Sequence, residues 1–266
     1  MIKVAISGIA GRMGRSVLSV LNGDKDIVIV GGSERDGHET IGVNIGSLIG
    51  VDSLNIPVTT DFEEASRDAD VLVDFTNPDV AVSRVEFASN TGKAMVIGTT
   101  GFSADQVNTI RELTNNFACV LSPNMSIGVN VFLEVATKLA SYLGDDYDVE
   151  IIEAHHSLKQ DSPSGTALKL GRDIARALDR DFEKIARYER HGRIGERPKK
   201  EIGMNTIRGG DIIGEHTAMF CGIGERIELT HRATDRSNFS KGALRSVKWV
   251  FGKQPGLYSM KDVLNL

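Results

Sequence analysis

The chain has 266 residues, 41% of them hydrophobic and 25% charged, with a formal charge of -5. That profile belongs to a soluble globular protein of one large or two ordinary domains, and it argues against disorder and against nucleic-acid binding, which needs a basic face. Cys119 and Cys221 are too few for a disulfide framework, no apolar run approaches membrane length, and Met1 leads straight into Ile2-Lys3-Val4-Ala5-Ile6 without a charged leader, so a cytoplasmic protein with no membrane partner is expected.

The first segment, Lys3 to Ser7, reads as a buried strand and runs into Gly8-Ile9-Ala10-Gly11-Arg12-Met13-Gly14, after which Val17, Leu18 and Leu21 recur at helical spacing. Strand, glycine turn and helix in that order suit a pyrophosphate, because glycine allows a tight turn, close approach of backbone to the anion, and close packing of helix on strand. The pattern is G-x-x-G-x-x-G, one residue wider than the commonest dinucleotide fingerprint, so it predicts phosphate binding and asks for a second feature. Glu34 supplies it. It follows the next strand, Ile27 to Gly32, twenty positions after Gly14, where a carboxylate can accept hydrogen bonds from an adenosine ribose diol. Its neighbour Arg35 can pair with a 2′-phosphate, so the two residues together predict a site for either NADH or NADPH.

Strands and helices then alternate. Strands are expected at Ile56 to Thr60, Val71 to Phe75, Ala94 to Gly98 and Ala118 to Leu121, with helices from Phe62, from Asp79 to Ser89 and from Ala104 to Asn115. This order predicts a Rossmann-like, doubly wound parallel sheet of the α/β class, in which ligands lie beyond the carboxyl ends of the strands. Phe75-Thr76, Gly98-Thr99-Thr100-Gly101 and Ser122-Pro123-Asn124-Met125 fall at those ends and read as binding loops.

A helix carrying Val131, Leu133, Val135 and Leu139 follows, and from Asp148 the pattern changes to one of strands with antiparallel signals. A second, α+β domain with a mixed or antiparallel open sheet is expected there. Gly209-Gly210-Asp211 reads as a turn between Asn205 to Arg208 and Ile212 to Phe220, in the manner of a hairpin, and Gly222 to Gly224 as another. In Arg226 to Arg232, Ile227 and Leu229 alternate with Arg226, Glu228, Thr230 and Arg232, which predicts one covered face and one open face fit to be a subunit interface. Arg197-Pro198-Lys199-Lys200 reads as a solvated loop. A helix from Phe239 and the closing residues Tyr258 to Leu266 return to the first domain. The expected division is residues 1–126 with 236–266 for the dinucleotide and 127–235 for substrate binding and oligomerisation, with hinges at Met125 to Asn130 and Arg236 to Phe239.

The densest chemistry lies in Glu153-Ala-His155-His156-Ser-Leu-Lys159-Gln-Asp-Ser-Pro163-Ser164-Gly165-Thr166. A strand ends here, two imidazoles and a lysine follow, and Pro163-Ser164 opens a helix whose apolar face is Ala167, Leu168, Leu170 and Ile174. The first N–H groups of that helix, with Lys159, form a cradle for a carboxylate or phosphate, and His155 and His156 supply protons beside it. Metal binding is not expected, because neighbouring strand residues point to opposite faces and no third ligand stands at the right spacing.

Three of these stretches, Gly8-Ile-Ala-Gly-Arg-Met-Gly14, Gly98-Thr-Thr-Gly-Phe102 and above all Glu153 to Ala167, resemble the 4-hydroxy-tetrahydrodipicolinate reductase (dihydrodipicolinate reductase) family, and the likeness runs through essentially the whole chain. The resemblance implies an NAD(P)H-dependent oxidoreductase of the diaminopimelate route to lysine. It implies that Gly8 to Gly14 hold the pyrophosphate, that Glu34 and Arg35 take the adenosine ribose and its optional phosphate, and that Gly98 to Thr100 and Ser122 to Met125 bracket the nicotinamide. It further implies hydride delivery to C4 of a cyclic dicarboxylate, protonation by His155 with Lys159, and substrate binding by His156, Lys159, Ser164, Gly165 and Thr166, in a homotetramer assembled through the second sheet. A sugar or amino-acid dehydrogenase with the same first domain, and a redox-sensing protein without catalysis, are the competing classes; the second leaves His155, His156 and Lys159 without a purpose.

Overall fold

Short runs of Val, Ile and Leu bounded by Gly, Pro and Asp pair side by side in the first part of the chain, and all of them run in parallel. In this computed structural model, which describes residues 1–266, they are β1 (Ile2–Ser7), β2 (Ile27–Ser33), β3 (Val71–Asp74), β4 (Ala94–Ile97) and β5 (Ala118–Leu121), joined at the far edge by a late strand, Gly256–Tyr258. The spatial order is late strand, β5, β4, β3, β1, β2. The strand order reverses at β1, with β2 added on one side and β3 and its successors on the other, which makes the switch point at which such sheets leave a crevice for a ligand. Helices α1 (Arg12–Asn22), α2 (Phe62–Ser66), α3 (Pro78–Thr91) and α4 (Ala104–Leu113) make the crossovers. Their starts are encoded locally: Asn77 accepts the Val80 N–H ahead of Pro78, and Ser103 with Gln106 forms a reciprocal capping box.

The chain divides into two units, Met1–Ile127 with Ser237–Leu266, and Gly128–Arg236. The second begins with α5 (Ile127–Leu143), whose helix starts one residue before the boundary, and continues through β6 (Asp148–His155), α6 (Gly165–Ala177), α7 (Phe182–Ile185), β7 (Ala186–Arg187), β8 (Ile202–Arg208), β9 (Gly214–Cys221) and β10 (Arg226–Ala233). Its mixed sheet has the order β10-β9-β6-β8-β7. One face packs on α5 and α6 through Phe132, Leu133, Ala136, Ala167, Leu170 and Ile174, against Val149 and Ile151 of β6, Ile202 and Met204 of β8, and Ala218 and Phe220 of β9. Truncating a fully buried member such as Ile151 to Ala is worth roughly 2–5 kcal/mol in cores of this kind. The chain then returns to the first unit with α8 (Ser237–Val250), β11 (Gly256–Tyr258, the late strand) and α9 (Met260–Leu264).

Several expectations need correction. Ile56 to Thr60 is not a ladder strand but makes two isolated bridges, Asn44 with Pro57 and Ser33 with Thr59, since Pro57 has no N–H to donate. β8 and β9 do not form a hairpin: β6 lies between them, parallel to β8 and antiparallel to β9, and the Gly209-Gly210 turn folds back on the end of β6 through Gly209 N–H to His155 O and Ser157 N–H to Gly210 O. The β9–β10 hairpin is as expected. Ile227 faces the covered side but sits on the edge strand and stays 37% exposed, whereas Leu229 packs on the core. Arg197 is not solvated; its guanidinium bonds Asp148, Glu150 and the carbonyls of Val149 and Glu201. The expected hinge residues 127–130 and 237–239 lie in the first turns of α5 and α8, so the non-helical links are 122–126 and 234–236, and Gly128 sits inside a helix.

Candidate active site

In the first unit the glycines do different jobs. Gly8 has φ +75°, and a Cβ there would stand 2.7 Å from the Phe75 carbonyl oxygen. At Gly14 a Cβ would stand 2.1 Å from the Gly8 carbonyl oxygen, so α1 can lie on the turn only as glycine. Gly11, the N-cap of α1, would meet only that same oxygen at 3.2 Å and is exposed, which leaves the backbone approachable. No side chain caps α1 and no acid stands in its first turn, so its first N–H groups are directed at the mouth of the crevice without an intrahelical acceptor. Ile9 is wholly buried and Met13 packs on the same core, so their side chains are structural; Arg12 is exposed. Arg15, which sequence patterns did not single out, braces the turn through Nε to Ala10 O at 2.9 Å.

Beyond β1, β2 and β3 lies a cavity of ≈ 260 Å³ lined by Gly8, Gly11, Glu34, Arg35, Thr76, Asn77 and Arg84 among others. Glu34 accepts the Ala10 N–H at 3.2 Å and the Arg35 N–H at 3.0 Å, which holds the carboxylate over the glycine turn; the Arg35 side chain is exposed. Behind the cavity Asp74 is fully buried and ties three strand ends together, accepting from Thr99 Oγ1 at 2.6 Å, from the Thr76 hydroxyl at 2.9 Å and from the Thr76 N–H. Burial pushes its carboxyl above the ordinary range against the pull of Thr99, Thr76 and Ser7. The Thr99 hydroxyl is therefore engaged inward, and Gly98 is required because a Cβ would strike the Phe75 ring at 2.0 Å. Thr100 is exposed. In the last loop the Ser122 hydroxyl donates to Asn124 O, Asn124 Oδ1 accepts from Ser126 N–H, Pro123 is exposed, and Met125 is buried in the core.

In the second unit, β6 delivers Glu153 and His155 to the covered face, two residues apart and therefore on the same side of the strand. Glu153 is 1% exposed and its oxygens are fully used. Oε2 meets His155 Nδ1 at 2.5 Å and Arg208 at 2.9 Å; Oε1 accepts from Ser164 N–H at 3.1 Å, from Arg208 at 2.8 Å and from Thr206 Oγ1 at 3.2 Å. Burial pushes this carboxyl up, but Arg208, His155 and the Ser164 N–H hold it below its ordinary value, so it is ionised. Burial also depresses His155, with Glu153 pulling the other way.

Ser164 is the N-cap of α6: its hydroxyl accepts the Ala167 N–H and shares a hydrogen with His216 Nε2 at 2.9 Å. His216, from β9, is driven down to about 4 by burial and then by His155, and is neutral. Gly165 is exposed and Thr166 half-buried at the cradle, so that helix presents N–H groups beside a buried acid. Lys159 is half-buried, with its ammonium 2.8 Å from Asp161, and two further donors remain for an anion. His156 is also half-buried. The structure thus brings His155 and Ser164 into one bonded group with Glu153, and it adds Arg208, Thr206 and His216, which sequence patterns missed. A histidine in the buried phase of the strictly alternating β9 was the available signal.

A parallel sheet with a glycine turn, an uncapped helix start and a strand-end carboxylate define a Rossmann-type dinucleotide-binding protein. Two family models match the chain, "Dihydrodipicolinate reductase, N-terminus" over residues 2–125 and "Dihydrodipicolinate reductase, C-terminus" over residues 128–264. The 4-hydroxy-tetrahydrodipicolinate reductases of Geotalea daltonii and Geobacter sulfurreducens are 48% and 47% identical over 266 residues, covering all of both chains. A dipicolinate-bound dihydrodipicolinate reductase from Paenisporosarcina sp. TG-14 superposes with a TM-score of 0.79 at 26% identity, covering 97% of each chain. A myo-inositol dehydrogenase-like structure from Sinorhizobium meliloti, 16% identical with a TM-score of 0.59, shares the fold alone. The chain belongs to the dihydrodipicolinate reductase family. No helix is long and apolar enough to cross a membrane.

Proposed function

We propose that this protein reduces the 4-hydroxy-tetrahydrodipicolinate/dihydrodipicolinate substrate to tetrahydrodipicolinate on the diaminopimelate route to lysine, taking either NADH or NADPH. The observation that carries this reading is the ionised, buried Glu153 holding both His155 and, through its N–H, the N-cap residue Ser164 of α6, which puts a proton donor and a carboxylate seat in one rigid group.

The residues of the first unit fit a dinucleotide. Gly11 and the first turn of α1 leave backbone N–H groups for the pyrophosphate, Glu34 suits the ribose diol, and Arg35 suits a 2′-phosphate. Backbone at Gly98 to Thr100 and Ser122 to Met125 suits the nicotinamide end. When bound, the reduced nicotinamide supplies a hydride, which goes to C4 of the substrate ring.

The second unit does the rest. A planar dicarboxylate places one carboxylate on the N–H groups of Gly165 and Thr166 and the Ser164 hydroxyl, and its charge on Lys159 and His156. His155 donates the proton that completes the reduction, and Lys159 keeps the developing charge compensated. The open face of the second sheet is the surface through which four copies assemble.

Steady-state oxidation of NADPH and NADH in the presence of freshly generated substrate tests the reading. The expected outcome is turnover with the cyclic dicarboxylate and none with the carbonyl (aldehyde or keto) substrates that a sugar or amino-acid dehydrogenase would reduce; the reverse preference would replace it with the dehydrogenase alternative.

A further inference from the structure

Glu153 touches neither the substrate nor the nucleotide in the proposed reaction, yet its carboxylate oxygens are fully engaged within the site. The two ends of its carboxylate reach two different parts of the machinery: His155 Nδ1 at 2.5 Å through one oxygen and Ser164 N–H at 3.1 Å through the other. Arg208 grips both oxygens at 2.9 and 2.8 Å, and the same two terminal nitrogens also donate to the Ile207 and Asp161 carbonyls. The far edge of the imidazole is kept clear by a glycine, since a Cβ at Gly214 would stand 3.1 Å from His155 Nε2.

We propose that Glu153, clamped by Arg208, is a positioning residue that keeps a hydrogen on His155 Nδ1, so that Nε2 is the edge that gives up the proton, and at the same time fixes Ser164, the N-cap residue from which the substrate cradle starts. This deepens the proposed reduction and rests on it for the role of His155. In the step itself the His155 Nε2–H bond breaks, its proton goes to the reduced substrate, and a neutral imidazole remains with Nδ1–H held by Glu153; solvent then reprotonates Nε2. The groups that face His155 are Glu153 on β6, Arg208 on β8, His216 on β9, with His231 behind it on β10, and Lys159 with Asp161 in the loop before α6. Of these only Glu153 is both anionic and bonded to the ring, so it alone favours the protonated acid, while Arg208 and Lys159 oppose it.

Opposite charges therefore give opposite predictions. The full chain is titrated by NMR with histidine labelled at Cε1, His155 being assigned from the resonance missing in His155→Gln. In Glu153→Gln the His155 midpoint should fall by about one unit or more, the usual scale for losing an adjacent opposite charge. In Arg208→Gln it should rise, because Glu153 remains and its counter-cation is gone. For Glu153→Gln we expect kcat to drop about 10- to 100-fold, a part of what a general acid contributes, with a higher substrate KM and unchanged NADPH affinity. Added to His155→Gln, the same change should cost little more, since both act through one proton. A Glu153→Gln protein that loses activity while its His155 midpoint stays put would make Glu153 structural only and overturn the proposal, as would midpoints moving the same way in both variants. If Glu153→Gln does not fold, the rise in Arg208→Gln decides, and an unmoved midpoint there overturns it. Because the titration needs no substrate, failure of the wild-type protein to turn over the dicarboxylate would reject the proposed reaction and leave the Glu153–His155 coupling standing or falling by itself.

Discussion

The two units build their sites from different materials. Around the β1–α1 turn the working surface is main chain: a glycine with positive φ, a glycine that admits a carbonyl at 2.1 Å from its absent Cβ, and the bare start of a helix, with Ile9, Met13 and Met125 turned into the core. Around β6 the working surface is side chain: a buried carboxylate, two buried imidazoles and a guanidinium in one bonded group. A main-chain site tolerates most side-chain changes and fails at the glycines, because shape is what it offers. A side-chain site in low dielectric fails when one atom or charge changes, because each partner left behind is unsatisfied.

Substitutions can break or sharpen that contrast. The largest effect is expected for His155→Gln, with kcat lower by about two orders of magnitude or more and little change in cofactor affinity, since a proton donor used in the transition state is lost. Near wild-type kcat would remove the side-chain site from the chemistry. Gly14→Ala should do the converse, weakening NADH and NADPH alike in fluorescence titration and costing about 1–3 kcal/mol of stability through overpacking. Gly11→Ala, with only a 3.2 Å contact to relieve, should be much milder, and equal losses at the two glycines would undo the distinction drawn between them.

Acid stability should also differ between the sites. His216 is depressed from 6.5 to about 4 in the folded protein, so the unfolded chain binds the proton first. Its contribution is complete above pH 6.5 and is lost as pH falls from there toward 4, up to roughly 3 kcal/mol on the linkage relation. Urea midpoints at pH 7 and pH 5 should fall less steeply in His216→Gln than in wild type, and parallel slopes would refute the assignment. The smallest effect is expected at the rim: Arg35→Ala should weaken NADPH by about 1–3 kcal/mol at most and leave NADH almost unchanged. Equal losses for both nucleotides would show that Arg35 does not read the 2′-phosphate.

What could be read from the chain beforehand follows the same division. The turn at Gly8 to Gly14 and the helix start at Ser164 obey rules that act over a few residues, and both were legible from spacing. Arg208 and His216 were not, because they reach Glu153 only through the register of β8 and β9 on β6, and a short glycine turn between two strands looks like a hairpin whether or not a third strand separates them. Asp74 escaped for a related reason: its partners Thr76 and Thr99 come from two strand ends that only the assembled sheet places side by side. The missing strand at Ile56 to Thr60 is the opposite case, where a local rule about Pro57 was present and outweighed by hydrophobic pattern.

The return of the chain to the first unit has a consequence for synthesis on the ribosome. Ala243, Val247 and Val250 of α8 sit in the same core as Val4, Ile6 and Leu18, and β11 closes the edge beside β5. All of Gly128–Arg236 is therefore made before the helix that seals the nucleotide-binding core emerges. A nascent chain at that stage carries an uncovered apolar sheet face, which is the surface that chaperones bind and from which aggregates start. A chain ending at Arg236 should accordingly be captured by a holdase chaperone during translation, whereas the unit spanning 128–236 has all of its own core residues and should not depend on such help.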